Sequence, residues 1–136
     1  MKKISLASVV FLFAAAFFGT APAQESYPAK PIKIVIPLGP GSGNDVVTRI
    51  LSETLERELN TRIEVEYKAG GGGGVIGADF VANSKPYGYT LGTLNSSIFT
   101  NAPVFNPVPF DPIKGFTSIA RLGGGSIVLV VNSTAP

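Results

Sequence analysis

A chain of 136 residues without cysteine or histidine has room for one modest domain. It lacks disulfides, the usual soft-metal ligand sets and the usual nucleophile–base pairs. Its formal charge of +2 is carried by Lys2 and Lys3 in a segment predicted to be removed; the remainder has nine basic and nine acidic side chains, scattered singly, which indicates no nucleic acid and no anionic membrane surface as partner.

Residues 1–23 have the three-part layout of a secretory signal. Lys2 and Lys3 precede an apolar run from Ile4 to Phe18, and Ala21-Pro22-Ala23 supplies the small residues before a predicted cut ahead of Gln24. An uncleaved anchor would need ~18–20 apolar residues to span a bilayer. The expectation is a periplasmic chain, not membrane-embedded once the signal is cleaved, with no lipid-bearing cysteine.

Ile32–Ile36 is a β-branched apolar run interrupted only by Lys33, as expected of a strand covered on both faces. It breaks into the glycine-rich turn Pro37–Asp45. From Asn44, the positions Val47, Ile50, Leu51, Thr54, Leu55 and Leu59 recur at three and four and predict a helix with one apolar face. Ser42 or Asn44 is the expected cap, Asp45 a favourable first-turn charge and Asn60 the stop.

Ile63, Val65 and Tyr67 alternate with polar residues, predicting a half-exposed strand near a sheet edge. Five consecutive glycines, Gly70–Gly74, lead into a second helix beginning at Val75 and ended by Lys85-Pro86. Tyr89–Leu94 reads as a third short strand. Strand, helix, strand, helix, strand at this spacing predicts an α/β fold built of parallel βαβ units. The prolines at 103, 107, 109 and 112 argue against any helix from Asn101 to Pro112 and predict an extended surface connection, anchored by Phe99, Phe105, Phe110 and Phe116. Ser126–Asn132 is a further β-forming segment.

Both glycine turns fall between the carboxyl end of a strand and the amino end of a helix. There backbone N–H groups and the helix dipole favour a phosphate or carboxylate, and ligands of open α/β sheets bind in that crevice. Asn95-Ser96-Ser97 would bring amide and hydroxyl groups to the same edge. A dinucleotide fingerprint starting at Gly39-Pro40-Gly41, with Glu64 or Glu66 as the ribose acid, fails at Asn44, where a third glycine is required. A Walker loop fails for want of a Lys-Ser or Lys-Thr pair after the glycines. The plainer alternative is a pair of tight turns whose glycines serve only backbone geometry. Asp45 has no evident partner as a catalytic acid. Arg49 and Lys68 are candidate countercharges, and Tyr87 and Tyr89 read as core and turn residues.

Tyr27-Pro28-Ala29-Lys30-Pro31-Ile32 behind a signal, then Pro37 to Asp45 followed by Val46-Val47-x-Arg49, resembles the opening of Bug-type extracytoplasmic solute receptors of tripartite tricarboxylate transporters. Gly72-Gly73 through Ile76-Gly77-Ala78, Gly88-Tyr89-Thr90-Leu91, Phe110-Asp111-Pro112-x-Lys114-x-Phe116 and Val130-Val131-Asn132 continue the resemblance in order. It implies a type II periplasmic-binding-protein fold of two lobes, with residues 24–125 in the first lobe and 126–136 beginning the crossover towards a second lobe that this chain does not contain. It also implies a small carboxylate ligand, membrane subunits as partners, a monomer, no cofactor and no catalysis. The ligand-binding residues it implies are Leu38, Gly39, Pro40, Gly41, Ser42, Gly43, Asn44 and Asp45, then Gly70, Gly71, Gly72, Gly73 and Gly74, with Asn95, Ser96 and Ser97. The chain departs from the family pattern at Leu38, Ser42, Tyr87 and Gly115, and its second glycine loop is one residue longer. A nucleotide-binding enzyme domain and a truncated, non-functional remnant are the alternatives.

Overall fold

The computed structural model describes residues 26–134 apart from 106, 126, 127 and 129; the predicted signal at residues 1–23 lies outside the described residues. Three parallel strands form one sheet in the order β2-β1-β3: β1 (Ile32–Ile36), β2 (Ile63–Tyr67) and β3 (Thr90–Gly92). Ile32 pairs with Ile63 and Ile36 with Tyr67, while Lys33 pairs with Thr90 and Val35 with Gly92. The uninterrupted apolar character of β1 follows from its central place: Ile32, Ile34, Val35 and Ile36 are all buried. The alternating β2 lies at an edge and exposes Glu64, as its pattern predicts.

Helices cover both faces. α1 (Gly43–Leu59) lays Leu55 and Leu59 on the cluster of Ile32, Ile34 and Ile63. α2 (Val75–Ala82) takes the opposite face, where Val81 approaches Gly92 and the Phe80 ring lies 5.8 Å from Lys33 Nζ and 4.1 Å from Lys68 Nζ. Lys33 is tolerated in the central strand because its ammonium reaches Glu66 (2.6 Å), which also pairs with Lys68 (2.7 Å) at the edge of the sheet.

α1 is capped by Ser42, whose Oγ accepts from Asp45 N (3.3 Å), and stops at Asn60 in the left-handed region (φ +47°). Its rotation differs from expectation. Leu51, Leu55 and Leu59 turn inward, but Val47, Ile50 and Thr54 are exposed, and the buried positions of the helix are Asp45, Thr48 and Ser52. Polar contacts at the N-terminal end set this rotation, as described below. β3 is shorter than the expected Tyr89–Leu94.

The segment expected to be helix-free contains helix. α3 (Ser96–Thr100) is followed by the single turn α4 (Ala102–Phe105), whose Val104 and Phe105 N–H groups both donate to Asn101 O. Pro103 is accommodated because it occupies the first turn, where its missing N–H has no partner to lose. Phe116 packs edge-on to Phe99 (5.3 Å) and Phe110 (5.4 Å), forming the expected anchor, whereas Phe105 is exposed. Of the β-forming Ser126–Asn132, the described residues Val128 and Val130–Asn132 are exposed and belong to no strand. Near the start, the Tyr27 hydroxyl donates to Gly88 O (2.7 Å) and the Tyr89 hydroxyl accepts from Ala29 N (2.9 Å), tying the leading segment to the turn before β3. Tyr89 thus has the core role expected of it; Tyr87 is exposed. Among the described residues, no helix is long and apolar enough to cross a membrane, and no group of three or more acidic side chains is placed to hold a metal ion.

Candidate functional site

The turn between β1 and α1 is closed by its own side chains. Gly41, at φ +81°, directs its N–H to Asp45 Oδ2 (2.7 Å), and Ser42 N donates to Gly39 O (3.3 Å). Asp45 Oδ1 accepts from Arg49 Nε (2.8 Å) and from the Tyr67 hydroxyl (2.7 Å), while Arg49 Nη2 donates to the same hydroxyl. The Gly41 N–H, the Tyr67 hydroxyl and the Arg49 guanidinium together hold the Asp45 carboxyl below the usual carboxylate range. Asp45 is 5% exposed and fully engaged. It has the partners that the sequence did not reveal, and their arrangement makes it a structural anion rather than a proton donor. Among the described residues, the N–H groups of Gly43 and Asn44 in this turn are left without an acceptor.

The second glycine loop is a run of left-handed backbone, with φ between +67° and +121° from Gly70 to Gly74. Gly74 is the N-cap of α2 and offers no side chain to the helix. It is buried against the first loop: a Cβ at Gly74 would stand 2.8 Å from Pro37 Cβ, and one at Gly77 would stand 2.8 Å from both Pro37 Cα and Lys68 O. Ile98 of α3, fully buried, completes this junction at 3.4 Å from the same Gly74 position. The segments following all three strands therefore meet, which is the convergence that parallel βαβ topology predicts.

A cavity of about 690 Å³ opens at the carboxyl end of β3. Its walls include Gly43 and Asn44 from the start of α1, Thr93, Asn95 and Ser96 after β3, and the stretch Ala120–Gly125. Of the predicted ligand residues it gathers Gly43, Asn44, Asn95 and Ser96, whereas Leu38–Ser42, Gly70–Gly74, Asp45 and Ser97 do not line it. The Asn44 amide donates to Thr93 O, and Thr48 Oγ1 lies 2.6 Å from Asn44 O and 2.9 Å from Thr93 Oγ1. With one proton, Thr48 donates to one of these at a time. These contacts, with the Asp45 cluster, fix the rotation of α1 and hold its first turn against the end of β3. Asn95 caps α3 by accepting from Ile98 N (3.3 Å).

Sequence reasoning missed Tyr67, Thr48, Thr93 and Arg121. Tyr67 was legible only as an inward residue of β2, and Thr48 only as an interruption of the apolar pattern. Arg49 and Lys68, the expected countercharges, are paired with Asp45 and Glu66 respectively.

Residues 47–136 match the model of the tripartite tricarboxylate transporter family receptor. Protein BugT of Bordetella pertussis is 33% identical over 135 residues, covering 97% of this chain and 41% of its own length. An Agrobacterium vitis protein encoded in the TAR-I ttuE–ttuC′ intergenic region is 34% identical over 102 residues, covering 75% of this chain and 29% of its own length. The periplasmic binding protein BugD superposes with a TM-score of 0.60 at 35% identity, over 66% of this chain and 30% of that one. MatC of Rhodopseudomonas palustris, with bound malate, gives 0.62 at 29% identity, over 67% of this chain and 31% of that one. The chain thus spans well under half the length of the relatives it matches.

Proposed function

The chain belongs to the tripartite tricarboxylate transporter receptor family, and from that membership we propose that it takes part in capturing a small carboxylated solute in the periplasm for the membrane subunits of such a transporter. The observation that carries this reading is the cavity at the end of β3, where the unpaired N–H groups opening α1 share one wall system with Asn95 and Ser96. Aligned backbone donors at a helix start hold a carboxylate by charge-assisted hydrogen bonds without needing a cationic side chain. The malate bound by MatC is of this chemical class.

In this reading Gly43, Asn44, Asn95 and Ser96 form the ligand-facing edge, Leu38–Ser42, Asp45 and Ser97 belong to the loops that carry it, and Gly70–Gly74 support it through Pro37. The solute is bound and released unchanged, with no cofactor. Residues 1–23 act as a cleaved signal, 24–125 as part of a first lobe and 126–136 as the start of the passage to a second, the receptor working as a monomer. Isothermal titration of the chain against malate, citrate, benzoate and glutamate tests the proposal. Saturable binding of at least one acid, lost when its carboxylates are replaced by amides, is the expected result. Heat from none of them overturns it.

A further inference from the structure

The cavity has one charged wall residue, and it was not among those expected. Of the described residues lining the space between α1, the end of β3 and the Ala120–Gly125 stretch, only Arg121 carries charge. The two cations that the sequence offered for a ligand are already committed: Arg49 to Asp45 (2.8 Å) and Lys68 to Glu66 (2.7 Å). Arg121 has no carboxylate within ion-pair distance among the described residues. Among the described residues its hydrogen bond is from Nε to Gly123 O (3.2 Å), which leaves the terminal guanidinium nitrogens for another acceptor. Gly124 leaves room for it, because a Cβ there would overlap Arg121 Nη2. Among the described residues, no acidic side chain lines the cavity to oppose an anion there.

We propose that Arg121 is the specificity-determining countercharge of this cavity, its guanidinium pairing with a carboxylate of the solute whose other polar groups meet Asn44, Asn95 and Ser96. The inference rests on the solute-receptor reading and sharpens it. Backbone N–H groups donate to any small anion, whereas a planar guanidinium selects a carboxylate that can take two parallel hydrogen bonds. Gly124, having no Cβ, leaves the space that the arm occupies.

The full chain, purified as the cell processes it, is labelled with ¹⁵N and titrated with malate, citrate and benzoate, comparing wild type, Arg121→Gln, Arg121→Lys and Gly124→Ala. Arg121→Gln is expected to weaken binding about tenfold or more, with partial recovery in Arg121→Lys. Gly124→Ala, which keeps the charge but displaces the arm, should weaken binding in the same direction with unchanged thermal midpoint. Should Arg121→Gln lose its dispersed spectrum, Gly124→Ala decides by the same criterion. If wild type binds, with the Gly43 and Asn44 amide signals moving, and the folded variants bind equally well, the role of Arg121 is overturned while the receptor reading stands. If no acid moves those signals in wild type, the receptor reading fails and Arg121 with it.

Discussion

At the scale of single residues, Asp45 organises the first loop. A carboxylate at the start of a helix is favourable in any case, but here it also receives the Gly41 N–H, the Tyr67 hydroxyl and the Arg49 guanidinium. Because these donors hold its carboxyl below the ordinary range when folded, the linkage has a definite sign. The contribution is complete above the unfolded value of about 3.9 and is lost as the pH falls through the depressed folded one. Glu66, lowered first by Lys33 and then by Lys68, and Asp111, lowered by the N–H groups of Lys114 and Ile113, act in the same direction. Asp45→Asn is therefore expected to lower the thermal midpoint at pH 7 and to flatten its fall below pH 5, without abolishing the fall. Scanning calorimetry of both proteins from pH 7 to pH 2.5 checks this, and parallel curves would contradict it. The position of Asp45 was legible in the sequence as a first-turn acid. Its partnership was not, because Tyr67 reaches it from 22 residues away across a strand pairing that no local pattern records.

At the scale of elements, the two glycine loops are joined by contact at Pro37, Gly74 and Gly77. The left-handed run Gly70–Gly74 is legible as a turn, since side chains disfavour positive φ. The reason Gly77 must also be small is tertiary. An alanine inside a helix would normally gain up to about 1 kcal/mol over glycine. Here its Cβ would press on the backbone of Pro37 and Lys68, each 2.8 Å away, and overpacking of that kind costs about 1–3 kcal/mol. Gly77→Ala is thus expected to destabilise the chain despite its better helix propensity, as urea denaturation would register. An equal or higher midpoint would show that the junction between the loops yields easily. The same distinction explains α1. Its start, cap and stop were read correctly because those signals lie within the helix. Its rotation was not, because the Thr48–Thr93 contact that helps to set it spans 45 residues, and burying a threonine and a serine on the inward face runs against apolar periodicity.

At the scale of the whole molecule, the fold is a small sheet with more apolar surface than it covers. Only eight hydrophobic residues among those described are buried, four of them in β1. A second cavity of about 640 Å³ lies open between α1, β3 and the Phe110–Phe116 anchor, lined largely by Leu51, Leu55, Leu91, Phe99 and Phe116. Because this cleft is open, the apolar side chains along it are left uncovered by the described residues. Stability at the low end of the range for natural domains, about 5 kcal/mol or less, is the consequence. A chain so poised reports binding sensitively. A carboxylate held only by the folded state should stabilise it by about 2.7 kcal/mol at one hundred times its dissociation constant, an increment comparable to the total. Urea titration with and without malate measures the shift, and the measurement separates two kinds of effect. A ligand seated between α1 and the end of β3 raises the midpoint at constant slope, whereas an acid that merely acts as a stabilising salt raises wild type and Arg121→Gln alike.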